Sequence, residues 1–228
     1  MSRRKRPVRR SYTRKEEKPS IKTVDPMTHN QELYMDSVDD NLVTVCVGCA
    51  GTGKSFLAAG MFSSMLHSGD YDQIVVTRPL VCAGKDIGAL PGELGDKILP
   101  YLKPMEENLK YFLGQSYYGH YLNNKQIKYE PLELMRGMTY NRTLMLLDEA
   151  QNCTSEQIKM FMTRIGKDSK MVINGDIKQT DISKRSGLDW VLHKLEQKPI
   201  DGLGICYLTY EDIQRNGIIS DILLALED

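Results

Sequence analysis

Residues 48–55 read Gly-Cys-Ala-Gly-Thr-Gly-Lys-Ser and match the pattern G-x-x-x-x-G-K-[ST] at every fixed position. A short apolar segment, residues 42–47, precedes the motif, and residues 55–66 after it favour a helix. In that context a glycine-rich loop can wrap its N–H groups around phosphate oxygens, and the helix N-terminus adds a favourable dipole. The motif therefore restricts the chain to α/β folds in which a strand leads through a phosphate-binding loop into a helix.

The residue types of this loop predict how it binds a nucleoside triphosphate. Glycines allow the backbone to approach the phosphates closely. Lys54 brings a positive charge to the β- and γ-phosphates, and the Ser55 hydroxyl is placed to hold Mg²⁺. The predicted phosphate-binding residues are Gly48, Cys49, Ala50, Gly51, Thr52, Gly53, Lys54 and Ser55.

The rest of the chain alternates apolar strands with amphipathic helices. The strands are continuous apolar runs, which is typical of a parallel sheet covered on both faces. We therefore predict an α/β fold with a mostly parallel sheet and helices on both faces. The predicted strands are residues 42–47, 74–77, 143–147, 171–174 and 205–209, and the predicted helices are residues 28–39, 55–66, 104–112, 155–165, 188–195 and 219–226.

Two adjacent carboxylates, Asp148 and Glu149, stand at the end of the predicted strand 143–147. Asp148 is expected to hold Mg²⁺ through water, as the second acidic element of this class of nucleotide-binding protein. Glu149 can orient and deprotonate an attacking water, which favours hydrolysis. A solvated acidic pair at the start of a loop is the alternative interpretation.

A further polar group follows the strand predicted at 171–174, in the sequence Gly175-Asp176-x-x-Gln179. Ligands of open parallel sheets bind beyond the carboxyl ends of the strands, so Gln179 is expected near the same nucleotide. Its amide could hydrogen-bond both the γ-phosphate and the attacking water. An ordinary turn would explain the same residues.

Charge is distributed unevenly along the chain. Residues 1–24 contain ten Lys or Arg against Glu16 and Glu17, a net charge of +8, which leaves 20 basic and 28 acidic residues in 25–228. We predict a disordered basic tail over 1–24 and one domain over 25–228, because so polar a segment cannot bury enough apolar surface. The tail could bind nucleic-acid phosphates or be a solvated segment that folds back on the acidic domain.

The cysteines and the hydropathy predict a cytoplasmic protein without a membrane segment. No apolar stretch follows the basic start, so export is not expected. Cys46 and Cys49 have redox or zinc spacing, but no second pair or nearby histidine completes a site. They are therefore interpreted as buried thiols in a reducing compartment.

Several short motifs together carry a family resemblance that runs from about Thr28 to the C-terminus. The chain resembles the PhoH-like family, ring-forming P-loop ATPases related to helicases. The combination of Asp-Glu-Ala-Gln-Asn at 148–152 with Leu-Pro-Gly at 90–92 is specific to it. The other matching segments are residues 51–55, 77–79, 83–84, 88–92, 100–104, 135–137, 175–179 and 186–188.

This resemblance implies a RecA-like core that binds and hydrolyses ATP and assembles into a hexameric ring. By motif, Gln31 would contact the adenine, although capping of the helix that starts near Thr28 is a competing explanation. Arg215 matches an arginine finger that reaches a neighbour's γ-phosphate, with a surface arginine as the alternative. Arg78 and Arg136 resemble contacts to nucleic acid or to another subunit.

Three functions are compatible with these features. The first is an ATPase motor that moves on or remodels single-stranded nucleic acid, with RNA as the expected partner. The second is a nucleotide-gated ring that acts on a protein partner, and indifference of its ATPase activity to nucleic acid would distinguish it. The third is a small-molecule phosphotransferase, against which Glu149 and Gln179 argue. No nuclease activity is expected, because the segment lacks a ribonuclease domain and a KH-type RNA module.

Overall fold

The computed structural model describes residues 20–79, 94–177 and 186–214 of the chain. Several predicted features lie outside these residues. They are Gln179, Arg215, the helix predicted over 219–226, the motif segments at 83–84 and 88–92, and most of the basic tail.

A single sheet of six parallel strands organises the described residues, which confirms the predicted fold class. The strand order is β3-β2-β4-β5-β1-β6. Strand β5 therefore lies between β1, which leads into the phosphate loop, and β4, which leads into the acidic pair. The strands are β1 Val43–Gly48, β2 Gln73–Thr77, β3 Ile127–Tyr129, β4 Thr143–Leu147, β5 Lys170–Gly175 and β6 Leu203–Leu208.

Helices cover both faces of the sheet, as predicted. One core contains Tyr34, Phe62 and Leu109, from the first three helices, and the other contains Phe161 and Leu188, from the last two. All five side chains are almost completely buried. The helices are α1 His29–Asp40, α2 Lys54–Ser68, α3 Leu94–Asn123, α4 Ser155–Met162 and α5 Gly187–Gln197.

The third helix is much longer than the predicted helix at 104–112. Helix α3 extends over Leu94–Asn123 and is interrupted at Gly114, whose φ of 72° and ψ of 158° are not helical. The predicted apolar face is correct, since Met105, Leu109 and Phe112 are all buried. The helix is followed by the short edge strand β3, which the sequence analysis did not predict.

The packed part of the chain begins before residue 25. The N–H of Lys22 donates to the Phe112 carbonyl oxygen at 2.9 Å, which joins this segment to α3. Ile21 and Val24 pack against the core of α2 and α3. Residues 21–24, which the predicted tail includes, therefore contact the packed core, and the division at 24 stays a prediction.

Cys46 and Cys49 are both buried, in agreement with their interpretation as buried thiols, and burial raises the pKa of Cys46.

Among the residues that the structure describes, no helix is long and apolar enough to cross a bilayer.

Candidate functional site

The phosphate loop connects β1 to α2 through two glycines in the left-handed region, Gly51 at φ 88° and Gly53 at φ 89°. Residues with a Cβ rarely adopt this backbone conformation, so the loop geometry depends on glycine at these two positions. The Lys54 ammonium donates to the carbonyl oxygens of Gly48 at 2.5 Å and Cys49 at 2.9 Å. The charge predicted to face the phosphates therefore lies inside the curve of the loop.

The two predicted magnesium ligands are in direct contact across the sheet. Ser55 Oγ, at the start of α2, donates to Asp148 Oδ1 at 2.6 Å, although the residues are 93 positions apart. Parallel strands end at one edge of the sheet, and this brings the end of β4 to the phosphate loop. A hydroxyl and a carboxylate side by side are the hard oxygen donors that Mg²⁺ prefers, so these residues fit the ion.

Asp148 has a raised pKa, chiefly because it is buried and secondly because Glu149 carries a like charge beside it. The hydrogen bond from Ser55 and the charges of Arg78 and Lys54 lower the pKa but do not offset burial. The ionised form is therefore disfavoured in the protein alone, and a divalent cation bound here would favour it.

This raised pKa predicts that Asp148→Asn stabilises the protein at neutral pH. A folded-state pKa above the unfolded one means that stability falls as pH rises through the interval between them. At about pH 7 the melting temperature of the variant should exceed that of wild type. The expected increase is roughly 2–4 °C for each kcal/mol by which the substitution lowers the cost of burying an ionised carboxylate. The difference should vanish below the unfolded-state pKa of about 3.9.

The measurement is thermal unfolding by circular dichroism across pH, with EDTA and without nucleotide. Asp201→Asn is the matched control, because Asp201 is exposed. Equal melting temperatures of wild type and Asp148→Asn at neutral pH would contradict the assigned cost of this charge.

Glu149 is fixed by two side chains that the sequence analysis did not connect to it. Its backbone is left-handed, with φ 58° and ψ 41°, a conformation that costs a residue with a Cβ about 1–2 kcal/mol. Arg78 Nη2 lies 3.3 Å from Glu149 Oε1, and Gln151 Nε2 donates to Oε2 at 2.6 Å. Arg78 also donates to the Tyr101 carbonyl oxygen at 3.1 Å. Both carboxylate oxygens therefore have a partner.

A cavity of about 690 Å³ joins these groups, within the range of about 300–1,000 Å³ that small-molecule sites occupy. Besides the phosphate loop it is lined by Ser55, Asp148, Glu149, Arg78 and Asn174. The predicted magnesium ligands and base therefore share one space with part of the predicted loop. The loop residues that line the cavity are Ala50, Gly51, Gly53, Lys54 and Ser55, and those that are not among its lining residues are Gly48, Cys49 and Thr52.

The end of β5 contributes polar groups that were not predicted individually. Asn174 is completely buried, and its Oδ1 accepts from the Tyr34 hydroxyl at 2.9 Å. Its Nδ2 has no hydrogen-bond partner among the described residues. Asp176, three residues before Gln179, also lines the cavity. The signal that could have identified both is their position at the end of an apolar strand.

Gln31 links α1 to the phosphate loop. Its backbone N–H donates to the Thr28 Oγ1 cap at 3.2 Å, which shows that this segment does cap the helix. Its side chain donates to the carbonyl oxygens of Thr52 at 3.0 Å and Asp212 at 3.4 Å, and accepts from the Met27 N–H at 2.8 Å. Both hydrogens of the Gln31 side-chain amide are thus used within the protein. One lone pair of its amide oxygen remains free to accept a hydrogen bond from a nucleotide base. Gln31 lines the cavity, and its adenine contact stays a prediction.

The remaining predicted residues are distributed around the site. Arg136 is exposed and is not among the residues that line the cavity. Gln214, the residue before Arg215, lines the cavity, and its N–H donates to the Gly51 carbonyl oxygen at 3.1 Å. The chain therefore passes its own phosphate loop immediately before Arg215.

The sequence matches the family model for PhoH-like proteins over residues 23–227. The chain belongs to the PhoH-like family. It is similar to the PhoH-like protein of Mycobacterium tuberculosis (strain ATCC 25618 / H37Rv), with 41% identity over 206 residues that cover 90% of this chain and 58% of that relative. This PhoH-like chain thus spans less than two thirds of the relative's length.

Solved structures support the fold of this PhoH-like chain. The large terminase from a thermophilic bacteriophage is similar with a TM-score of 0.55 and 13% identity, over 90% of this chain and 51% of the terminase. A second crystal form of that terminase, in complex with ADP, has a TM-score of 0.51 and 12% identity, over 89% and 50% of the two chains. Together with the strand order, these similarities confirm the RecA-like P-loop fold.

Proposed function

We propose that this chain is an ATPase that binds ATP with Mg²⁺ in the cavity and hydrolyses its terminal phosphate bond. The observation that carries the proposal is the contact of Ser55 with Asp148 at 2.6 Å in the same cavity as Glu149 and the phosphate loop. The match to the PhoH-like family and the ADP complex of the similar terminase support nucleotide binding.

Each side chain has a role in the proposed hydrolysis. Lys54 stabilises negative charge on the β- and γ-phosphates, and Ser55 and Asp148 hold Mg²⁺, which when bound neutralises phosphate charge. Glu149 accepts a proton from the attacking water, whose oxygen forms a bond to the γ-phosphorus as the bond to ADP breaks. Gln179 orients that water against the γ-phosphate. Arg215 supplies a positive charge to the transferring phosphoryl group.

The proposal extends to a homo-oligomeric ring, with six subunits expected, that couples hydrolysis to single-stranded nucleic acid. Arg78 directly follows strand β2 and lines the cavity, whereas Arg136 is exposed and follows the short 3₁₀ helix Leu132–Met135. Arg78 also contacts Glu149, so a ligand that draws Arg78 away would free a carboxylate oxygen. This supports a coupling between nucleic acid and hydrolysis in a cytoplasmic ATPase.

The experiment is an ATPase assay with single-stranded RNA, single-stranded DNA and duplex controls, combined with a mass measurement of the assembly with and without nucleotide. Stimulation by a single strand together with a six-subunit mass supports the full proposal. Hydrolysis that is indifferent to nucleic acid favours a ring that acts on a protein partner. Hydrolysis only after addition of a small acceptor would favour a phosphotransferase and overturn the proposal.

A further inference from the structure

Gln151 is a buried glutamine whose side-chain amide connects two parts of the site. It is 3% exposed and lies two residues after Glu149. Its Nε2 donates to Glu149 Oε2 at 2.6 Å, and its Oε1 accepts from the backbone N–H of Asp176 at 3.0 Å. One planar amide thus links the carboxylate after β4 to the end of β5.

The surroundings leave this amide one suitable orientation. Rotating it by 180° would bring its oxygen against the Glu149 carboxylate and its hydrogens against the Asp176 N–H, and both contacts are repulsive. The backbone of Gln151 is also held, because Ser186 Oγ donates to its carbonyl oxygen at 2.9 Å. The space is tight as well, since a Cβ added to Gly175 would lie 3.1 Å from Gln151 Oε1.

We propose that Gln151 is a positioning residue. It orients the Glu149 carboxylate toward the attacking water and fixes the position of that carboxylate relative to the end of β5. This inference rests on the proposed ATPase function, with Glu149 as the base. Asp176 lies three residues before Gln179, the residue expected at the γ-phosphate. A displacement of the Asp176 backbone would move the Gln151 amide and, through it, the carboxylate.

The chemistry of the contact distinguishes positioning from packing. A side chain that only fills space could be replaced by methionine, which has a similar volume, with little effect on catalysis. A hydrogen bond to a carboxylate instead fixes where its oxygens point, and a misplacement of about 1 Å can cost about 100-fold in rate. The second Glu149 contact, Arg78, is on the other oxygen and does not replace this bond.

Gln151→Met and Gln151→Glu test the proposal in the chain of 228 residues. Methionine removes both hydrogen bonds. Glutamate keeps an acceptor for the Asp176 N–H but places a like charge beside Glu149. We expect kcat for ATP to fall about 10- to 100-fold in Gln151→Met and further in Gln151→Glu. The Kd of a fluorescent ADP analogue with Mg²⁺ should change by less than about threefold, since neither variant alters the phosphate loop.

Gln197→Met is the matched control, because Gln197 is an exposed glutamine at the end of α5. Its kcat and melting temperature should equal those of wild type. If Gln151→Met does not fold, Gln151→Glu decides alone, since it keeps the volume and the acceptor. Wild-type kcat in either folded Gln151 variant, or a loss of kcat matched by an equal loss of ADP affinity, would overturn the inference.

A mutant cycle with Glu149→Ala tests whether Gln151 acts through the carboxylate. In that background Gln151→Met should leave the residual single-turnover rate unchanged, because the group that it positions is gone. A further loss equal to that seen in wild type would overturn the proposal. Failure of the wild-type chain to hydrolyse ATP would instead refute the proposed function, so the two failures are distinguishable.

Discussion

Lys54→Ala is expected to abolish ATP hydrolysis, with a loss in kcat/KM of at least about 100-fold, the usual effect of removing one group that stabilises charge in a transition state. The structure places this side chain within the phosphate loop itself. The ammonium lies inside the loop, at 2.5 Å and 2.9 Å from the carbonyl oxygens of Gly48 and Cys49. Truncation removes the charge offered to the phosphates and one donor to each of these carbonyls, although the Cys49 carbonyl oxygen still accepts from the Thr52 hydroxyl at 2.9 Å.

Two comparisons make this result specific to the Lys54 side chain. Lys167→Ala removes an exposed lysine and should leave hydrolysis unchanged. Lys54→Arg keeps the charge, but its planar, longer head does not fit a loop closed around an ammonium, so hydrolysis should also fall. Rates are measured by phosphate release over a range of ATP concentrations with Mg²⁺ in excess, which gives kcat/KM, and melting temperatures are measured alongside. An unchanged rate in folded Lys54→Ala would remove the phosphate loop from the mechanism.

The strands of this fold could be predicted from the sequence, and α3 with β3 could not. Strands such as β1 and β4 are continuous apolar runs whose ends carry distinctive residues, and each predicted strand is present within one or two positions. In α3 the left-handed Gly114 and the prolines before it suggest a short helix. Leu102, Tyr118 and Tyr121, which lie outside the predicted 104–112, are buried in the same core and support the longer helix. Strand β3 has only three residues, too few for a periodic signal.

The site shows the same division between local and long-range features. The phosphate loop and the pairing of Ser55 with Asp148 follow from motifs at the ends of parallel strands, which meet at one edge of the sheet. The contacts of Glu149 with Arg78 and Gln151 depend on which strands are neighbours and on how each side chain turns. A single sequence does not contain that information, because the strand order inserts β5 between β1 and β4 only in the folded protein.

Mixing Glu149→Gln with Arg215→Ala subunits is expected to restore part of the ATPase activity that each variant lacks alone. Glu149→Gln removes the base and should cost about 10²- to 10⁴-fold in rate, while Arg215→Ala removes an arginine finger, worth about 10³- to 10⁵-fold. If Arg215 completes a neighbour's site, a mixed ring contains some interfaces at which an intact Glu149 faces an intact Arg215. Such an interface has both groups that hydrolysis needs. Activity should therefore peak at intermediate mixing ratios.

The structure makes this experiment decisive, because Gln214 donates its N–H to the Gly51 carbonyl oxygen of its own chain. Gln214 also lines that cavity. If Arg215 instead serves the cavity of its own chain, mixing restores nothing at any ratio. Each variant titrated with wild-type subunits controls for failure to exchange, and nucleotide binding by Glu149→Gln confirms that its site is intact. An Arg215 that acts in its own subunit would leave ring assembly without a chemical role in hydrolysis, whereas rescue on mixing makes the interface part of the active site.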